Sequence, residues 1–375
     1  METLKRFTAI VKDPRSYLLE WKGKTQRRVI ACFPMYAPEE MVHAAGMLPV
    51  TMFGSDEPIT LANNYLHAFL CHPVRDDFEQ FLKGSLDFAD GLVFSDICDQ
   101  EKRVASLLRL HFKSRFFHFV RFPKMMHGAG SKEHLIRELM RLKTALENLA
   151  GSKITDDELR RSILLFNQTR KLLTQAYQLR RENPGSFSGD ELSIVVSAAM
   201  VMPKEEYNLL LSDYLKQKQG QKASVKDKVR LVITGNPCED LEPGISRMIE
   251  EVGGVVVDDD VFTGSRYFAS AIPEDRDPLV ALADGYLEGI ACPTKYDPTK
   301  KWADHVLSMA KQSKASGVVL LMPKFCEILA FEYPQVNSLL TESGIPHLML
   351  ECDHSGATAG MKTRLQAFVE TLKGE

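Results

Sequence analysis

Short apolar runs alternate with amphipathic segments along the first third of the chain. The runs are rich in β-branched and aromatic residues and lie at 27–33, 48–53, 89–96 and 115–123. Between them, apolar residues recur at three- and four-residue spacing, which is typical of helices. Strands that alternate with helices predict a parallel sheet wrapped by helices. Residues 1–21 predict one short amphipathic helix, and residues 62–87 a mostly helical segment that includes Cys71.

The middle of the chain has a different pattern, without strand-like runs. Residues 131–151 and 156–182 carry apolar residues at helical spacing with charges between them, and Asn183-Pro184-Gly185 ends the second segment. Two further helical segments follow, up to about residue 215. The pattern predicts a helical insert, and the Lys/Arg runs on its helices are interpreted as solvated faces.

Strand and helix patterns return after the insert. The run at 228–235, a loop and helix, and the run at 255–260 form a βαβ unit. Later strands are predicted at 316–322 and 345–351, before a closing helix. We therefore expect an α/β protein with two open parallel-sheet, Rossmann-like lobes and a helical insert between them. The first lobe is residues 1–130, the insert 131–225 and the second lobe 226–375. Loops at the carboxyl ends of the strands would line a cleft between the lobes.

Length and charge limit the classes of function. The chain has 375 residues, which favours two lobes over a single core. Lys and Arg total 47 against 50 Asp and Glu, so the net charge of −3 offers no field that attracts nucleic acid or an anionic membrane. No apolar run is long enough to span a membrane, and residues 1–21 lack the apolar core of a signal peptide. Seven cysteines without a CxxC pair argue against a disulfide framework and favour a reducing cytoplasm.

Several common catalytic motifs are missing from the sequence. Gly23-Lys24-Thr25 lacks the upstream glycine of a phosphate-binding P-loop, and the stretch at Gly128 is not a GxGxxG that opens a helix. No GxSxG or HExxH occurs. The chain is therefore expected to bind neither ATP nor a dinucleotide by these devices.

Three cysteines occupy positions suited to metal chemistry. Cys98 and Cys326 each come just after an apolar run, and Cys71 lies in the stretch FLCHP. Thiolates are soft ligands, and cysteines commonly hold iron–sulfur clusters. Their spacing matches no compact ferredoxin or zinc pattern, so buried structural thiols remain the alternative. A small-molecule binding protein with the same two lobes is a further alternative, but it would not need thiols at three separate positions facing one cleft.

Other polar residues have a structural interpretation beside the functional one. The remaining cysteines are interpreted as buried structural thiols: Cys32, Cys238, Cys292 and Cys352. Candidates for proton delivery are Glu39, Glu40 and Glu327, although carboxylates in a first helical turn usually stabilise the helix. Arg266 and Lys324 could meet the phosphates of a ligand, but surface exposure or pairing between the lobes is the favoured interpretation. The histidines show no metal-ligand spacing: His43, His67, His72 and His347.

Several longer stretches resemble one protein family, in the same order along nearly the whole chain. They are IACFPMYAPEEMVHAAGMLPV, AFLCHP, SDICDQ, MPKFCEILAFEYPQV and SGIPHLMLECD. These stretches are similar to the 2-hydroxyacyl-CoA dehydratase and benzoyl-CoA reductase family. The resemblance implies two related subunits, each with two α/β lobes and a [4Fe–4S] cluster held by three cysteines. At the matching positions these are Cys71, Cys98 and Cys326.

The resemblance also implies partners and a reaction. The expected partners are a homologous, larger cluster-bearing subunit, ATP-hydrolysing iron–sulfur activator subunits, a ferredoxin as upstream electron donor, and an acyl-CoA substrate. The GNPCED and GSRYF stretches look more like the smaller cluster-bearing subunit of ATP-dependent benzoyl-CoA reductase. This subunit would take part in two-electron reduction of an aromatic thioester to a cyclic diene. The alternative is a dehydratase subunit, in which one recycled electron generates a ketyl radical.

Overall fold

Two four-stranded parallel sheets, separated in the chain by helices, form the framework of the protein. The computed structural model describes residues 2–55, 57–111, 116–220, 225, 227–235, 244–289, 291–353 and 358–374. Both sheets have the same kind of strand order, with the first strand in sequence lying between the second and third: β2-β1-β3-β4 and β6-β5-β7-β8. The expected fold class, two parallel-sheet α/β lobes, is confirmed.

The first sheet is built from short strands: β1 (Val29–Cys32), β2 (Leu48–Thr51), β3 (Gly91–Ser95) and β4 (Phe116–Val120). β1, β2 and β3 are buried along their whole length, which explains their nearly continuous apolar sequence. The helices of this part are α1 (Glu2–Lys12), α2 (Pro14–Thr25), α3 (Glu39–Ala44), α4 (His72–Leu82) and α5 (Asp99–His111).

In the described residues between the two sheets there are four α-helices: α6 (Ser131–Ala150), α7 (Asp156–Glu182), α8 (Glu191–Val201) and α9 (Lys204–Lys218). Local sequence sets their ends. α6 is followed by Gly151 at φ +77°, where glycine carries no steric penalty. α7 begins with a capping box in which Thr155 and Glu158 satisfy each other's backbone N–H groups. The predicted division into three domains stays a prediction.

The second sheet follows the connecting helices: β5 (Val229–Gly235), β6 (Gly254–Asp260), β7 (Gly317–Pro323) and β8 (His347–Cys352). Its helices are α10 (Ile245–Glu251), α11 (Ser265–Phe268), α12 (Pro278–Leu287), α13 (Trp302–Gln312), α14 (Glu327–Glu342) and α15 (Ala359–Lys373). Ala31 and Leu92 of the first sheet belong to the same hydrophobic cluster as Val232 and Leu320 of the second. The two lobes therefore share a core. Within the described ranges, no helix is both long and apolar enough to cross a bilayer.

Two helical predictions need correction. The predicted N-terminal helix is two helices, because Asp13 caps α2 by accepting a hydrogen bond from the Ser16 N–H at 3.0 Å, with Pro14 at the first helical position. The predicted segment at 62–87 becomes a continuous helix only at His72, where Pro73 lies in the first turn. Cys71 is consequently not inside a helix but directly before one.

Candidate functional site

The three candidate cysteines lie at the N-termini of three helices. Cys71 directly precedes α4, Cys98 directly precedes α5, and Cys326 directly precedes α14. Cys98 follows β3, and Cys326 follows β7. β3 lies beside β1 and β7 lies beside β5, and these are the positions at which the strand order of each sheet reverses. Ligands of open α/β sheets bind at such positions. Cys71 and Cys326 are buried, and Cys98 is half-buried.

The side chain of Gln100 joins the three cysteine-bearing segments. Gln100 lies in the first turn of α5, two residues after Cys98. Its Oε1 accepts a hydrogen bond from the backbone N–H of Cys71 at 2.8 Å. Its Nε2 donates to the carbonyl oxygen of Phe325 at 3.1 Å, directly before Cys326. One amide therefore connects two segments of the first lobe with the loop of the second.

Two aromatic rings make a second connection. The rings of Phe69 and Phe325 meet edge to face, with centroids 5.3 Å apart. Phe325 has φ +63°, a left-handed conformation that costs a bulky residue about 1–2 kcal/mol. Strain of this kind persists where surrounding contacts fix the backbone, often at functional sites. The contacts with Gln100 and Phe69 fix this loop.

Electrostatics at the helix ends favour negative charge on the sulfurs. The backbone N–H of Glu101 donates to Cys98 Sγ at 3.3 Å, and the N–H groups of Ile328 and Leu329 face Cys326. Burial, followed by the nearby Glu101 carboxylate, raises the pKa of the Cys98 thiol to about 12. Burial also raises the pKa of Cys326. Burial thus favours the neutral thiols, whereas the helix N-termini would stabilise the thiolates that metal binding leaves.

A single metal ion and a cluster place different demands on the three thiols. Among the described residues, no three His, Cys, Asp or Glu side chains lie close enough to hold one metal ion. One ion must contact each sulfur at about 2.3 Å, whereas the thiolates around an iron–sulfur cluster bind different irons. Three thiols on separate helix N-termini fit a cluster by their chemistry. The ligand set Cys71, Cys98 and Cys326 stays a prediction.

A partly open cavity of about 100 Å³ lies between the carboxyl ends of β1 and β6. Five aromatic residues contribute to its wall: Phe33, Tyr36, Phe262, Tyr267 and Tyr286. Polar lining residues are Glu39, Thr51, Arg170, Arg266, Ser270 and Cys292. Sequence reasoning did not find this cavity, because its lining comes from segments far apart in the chain.

Arg266 is the most constrained cation of the cavity wall. Its Nε and Nη2 donate to the two carboxylate oxygens of Asp260 at 3.1 and 2.8 Å, and Nη2 also donates to the Gly235 carbonyl at 3.1 Å. Trp302 Nε1 donates to the same carboxylate at 2.7 Å. Arg266 is 8% exposed, so the favoured interpretation that it lies at the surface is wrong. Its partner Asp260 is in its own lobe, which also excludes pairing between the lobes.

Glu39 and Glu40 do more than stabilise the start of α3. Both are buried, and both bond to residues distant in sequence. Glu39 accepts hydrogen bonds from Thr51 at 2.6 Å and from the Tyr267 hydroxyl at 2.8 Å. Glu40 pairs with Arg170 and accepts from the Tyr286 hydroxyl at 3.3 Å. The third candidate, Glu327, is exposed in the first turn of α14.

The other candidate residues have ordinary structural environments, with one exception. Cys32 and Cys352 are buried, as interpreted from the sequence. Cys292 is buried too, but it lines the cavity, with Sγ 3.2 Å from Thr294 Oγ1. Cys238 lies outside the described residues. Lys324 is half-exposed beside Asp353 at 3.6 Å. His43 bonds to Ser162 and Glu205, His67 stacks on Phe69, His347 bonds to Asn337, and His72 is buried.

Comparisons with known proteins identify the family. The model of the 2-hydroxyglutaryl-CoA dehydratase, D-component, family matches residues 34–372. The (R)-phenyllactyl-CoA dehydratase beta subunit of Clostridium sporogenes is 30% identical, covering 98% of this chain and 97% of that one. A benzoyl-CoA reductase subunit of Thauera aromatica is 29% identical, covering 94% and 93%. The (R)-2-hydroxyglutaryl-CoA dehydratase beta subunit of Acidaminococcus fermentans is 28% identical, covering 98% of each chain. The resemblance inferred from the sequence is confirmed, and the chain belongs to the family of 2-hydroxyacyl-CoA dehydratase and benzoyl-CoA reductase subunits.

Proposed function

We propose that this chain is the iron–sulfur subunit of an ATP-dependent benzoyl-CoA reductase. In this role it takes part in the two-electron, dearomatising reduction of an aromatic acyl-CoA to a cyclic dienoyl-CoA. The observation that carries the proposal is the connection of Cys71, Cys98 and Cys326 through Gln100 at three helix N-termini. The choice of the reductase over the dehydratase rests on the GNPCED and GSRYF stretches.

Each part of the site has a defined task in this proposal. Cys71, Cys98 and Cys326 hold a [4Fe–4S] cluster, which supplies low-potential electron transfer when bound. The N–H groups of α4, α5 and α14 stabilise the negative charge of the thiolates. The apolar side chains of Phe69 and Phe325 limit the access of water from the outside.

A dehydratase subunit is the second candidate function. The similarity to the phenyllactyl-CoA dehydratase beta subunit is of the same size, 30% against 29%. A dehydratase would use the same cysteine site with an electron that returns at the end of each cycle. ATP consumption therefore separates the two reactions.

The proposal includes partner proteins. We expect a homologous, larger cluster-bearing subunit, ATP-hydrolysing iron–sulfur activator subunits, and a ferredoxin that supplies them with electrons. An external donor must approach the cluster closely, and Phe69 and Phe325 next to the cysteines are 65% and 45% exposed. Leu164 and Leu209 on the connecting helices are also exposed, which makes these helices our candidate for part of the contact between subunits.

The reaction is tested with the complex assembled under anoxic conditions. The complex is activated with its ATP-hydrolysing partner, ATP is removed, and benzoyl-CoA or a 2-hydroxyacyl-CoA is supplied. A reductase stops reducing benzoyl-CoA as soon as ATP is withdrawn, because no electron is recovered. Continued turnover of the hydroxyacyl thioester without ATP would replace the reductase assignment with the dehydratase. A chain that is active alone as a monomer would contradict the partner assignment.

A further inference from the structure

The backbone before Cys98 is held by two lysine side chains that come from different lobes. Lys295 Nζ, from the segment between α12 and α13 of the second lobe, donates to the carbonyl oxygen of Asp96 at 2.7 Å. Lys124 Nζ, from the segment after β4 of the first lobe, donates to the carbonyl oxygen of Ile97 at 2.7 Å. These carbonyls belong to the two residues directly before Cys98, so both amines act on the loop that carries this thiol.

The two segments that carry the lysines also bind each other. The backbone N–H of Tyr296 donates to the carbonyl oxygen of Lys124 at 2.8 Å, and the N–H of Met126 donates to the carbonyl oxygen of Tyr296 at 3.1 Å. This pairing is an isolated parallel β-bridge between the lobes. We call residues 124–126 together with residues 295–296 the clasp, since they join the two lobes beside the cysteine loop.

The amine of Lys295 is fixed by more than one hydrogen bond. Its Nζ lies over the rings of Tyr36 and Phe122, at 5.0 and 5.3 Å from the ring centroids. A cation over an aromatic face is attracted by the electrons of the ring, and more strongly where water is excluded. Both rings belong to the first lobe. Lys295 of the second lobe is therefore held between these rings and the carbonyl of Asp96.

The charge beside the cysteine loop is mainly positive. The Asp96 carboxylate has two cations near it, Lys124 at 2.9 Å and Lys102 at 3.4 Å. Lys102 also pairs with Asp99, whose side chain is 83% exposed, so solvent screens that carboxylate. Burial, followed by the charge of Lys124, lowers the pKa of Lys295 to about 7, so its amine is charged below this pH. A reduced cluster carries one more negative charge than an oxidised cluster, and nearby cations therefore favour the reduced form.

We infer that Lys124 and Lys295 are positioning residues for the iron–sulfur site, which hold the loop that presents Cys98 through the clasp between the lobes. The second lobe thereby fixes a ligand of the first lobe, and the geometry of the site depends on the junction of the two lobes. The charge of these lysines also raises the reduction potential of the cluster. The iron–sulfur part of this inference rests on the proposed function, whereas the positioning of the loop rests on contacts within the chain itself.

Hydrogen exchange of the full chain, followed by mass spectrometry, tests the positioning. Lys295→Met removes the donor at nearly the same side-chain length and should accelerate exchange of residues 96–98 roughly twofold to tenfold. Lys295→Arg still donates and should exchange as slowly as the parent. Lys300→Met is the matched control, because Lys300 is close in the chain and also donates to a backbone carbonyl, that of Glu288 at 2.8 Å. Unchanged exchange at residues 96–98 in Lys295→Met would overturn the inference.

The reduction potential separates an effect on the cluster from a general loss of stability. The full chain, purified anoxically, is titrated potentiometrically at pH 6, where Lys295 is charged, while electron paramagnetic resonance measures the reduced cluster. Lys295→Met should lower the ratio of reduced to oxidised cluster at a given potential roughly threefold to tenfold, and tenfold corresponds to about 59 mV for one electron. Lys295→Arg and Lys300→Met should keep the potential of the parent. The same potential in an iron-loaded Lys295→Met chain would overturn the electrostatic part of the inference.

Failure of this inference differs from failure of the proposed function. An iron-loaded parent chain, together with unchanged exchange at residues 96–98 in Lys295→Met, would refute only the role of the lysines. A parent chain without iron, whose residues 96–98 still exchange faster in Lys295→Met, would refute only the iron–sulfur proposal.

Discussion

Replacing Gln100 with Leu should loosen two of the cysteine segments while leaving the fold intact. Leu has a similar size but neither accepts the Cys71 N–H nor donates to the Phe325 carbonyl. Each hydrogen bond contributes about 0.5–1.5 kcal/mol to stability, so the two together contribute about 1–3 kcal/mol. Because the bonds join loops rather than core elements, we expect most of this loss in local opening near Cys71 and Cys326 rather than in global unfolding.

Hydrogen exchange measures this loss directly. A loss of about 1–3 kcal/mol accelerates exchange of the Cys71 amide roughly 5- to 150-fold if local opening controls it. Gln100→Glu separates the two bonds, since its carboxylate still accepts from Cys71 but cannot donate to Phe325. This variant should retain protection at Cys71 and lose it only in the loop before Cys326. Ser106→Ala, on the exposed side of α5, is the control. Unchanged exchange at Cys71 in Gln100→Leu would refute the role of Gln100.

Two further predictions concern buried carboxylates near the site. Burial raises the pKa of Glu79, but hydrogen bonds from Ala62, Leu61 and Thr60 outweigh it and lower the pKa to about 2. Relative to an unfolded pKa of about 4.3, this carboxylate contributes about 2–3 kcal/mol above pH 5 that is lost as the pH falls towards 2. Urea unfolding of Glu79→Gln should therefore depend less on pH in this window than unfolding of the parent; equal slopes would contradict this. Glu40→Gln leaves the Arg170 guanidinium, whose side chain is only 14% exposed, without its carboxylate and should lower the free energy of unfolding by about 3 kcal/mol. A loss below about 1 kcal/mol in the same assay would argue against a stabilising pair.

Much of the fold was predictable because it depends on local pattern. Each of the eight strands in the described part of the chain coincides with a short apolar run, and the inner strands of both sheets are covered on both faces. The start of α4 was not predicted, because the apolar residues before His72 suggest helix while Pro73 favours a helix start. The break between α1 and α2 at Asp13-Pro14 could have been predicted in the same way, since an N-cap residue followed by proline typically starts a helix.

The candidate site was predictable only in part. The cysteines were found because they follow apolar runs or match family motifs. Gln100 was missed, since nothing in the sequence connects it with Phe325, which lies 225 residues away. Tyr267 was missed for the same reason, being 228 residues from its partner Glu39. Contacts between the lobes follow from packing, and no local pattern of residue types encodes them.

Iron and acid-labile sulfide content of the anoxically purified protein tests the central claim most directly. The parent chain should contain about four irons and four sulfides in this subunit. Cys326→Ser should lose them, as should the equivalent variants of Cys71 and Cys98, whereas Cys292→Ser should keep the full content. Full iron and sulfide occupancy in Cys326→Ser would contradict the assignment of the cluster to these three cysteines.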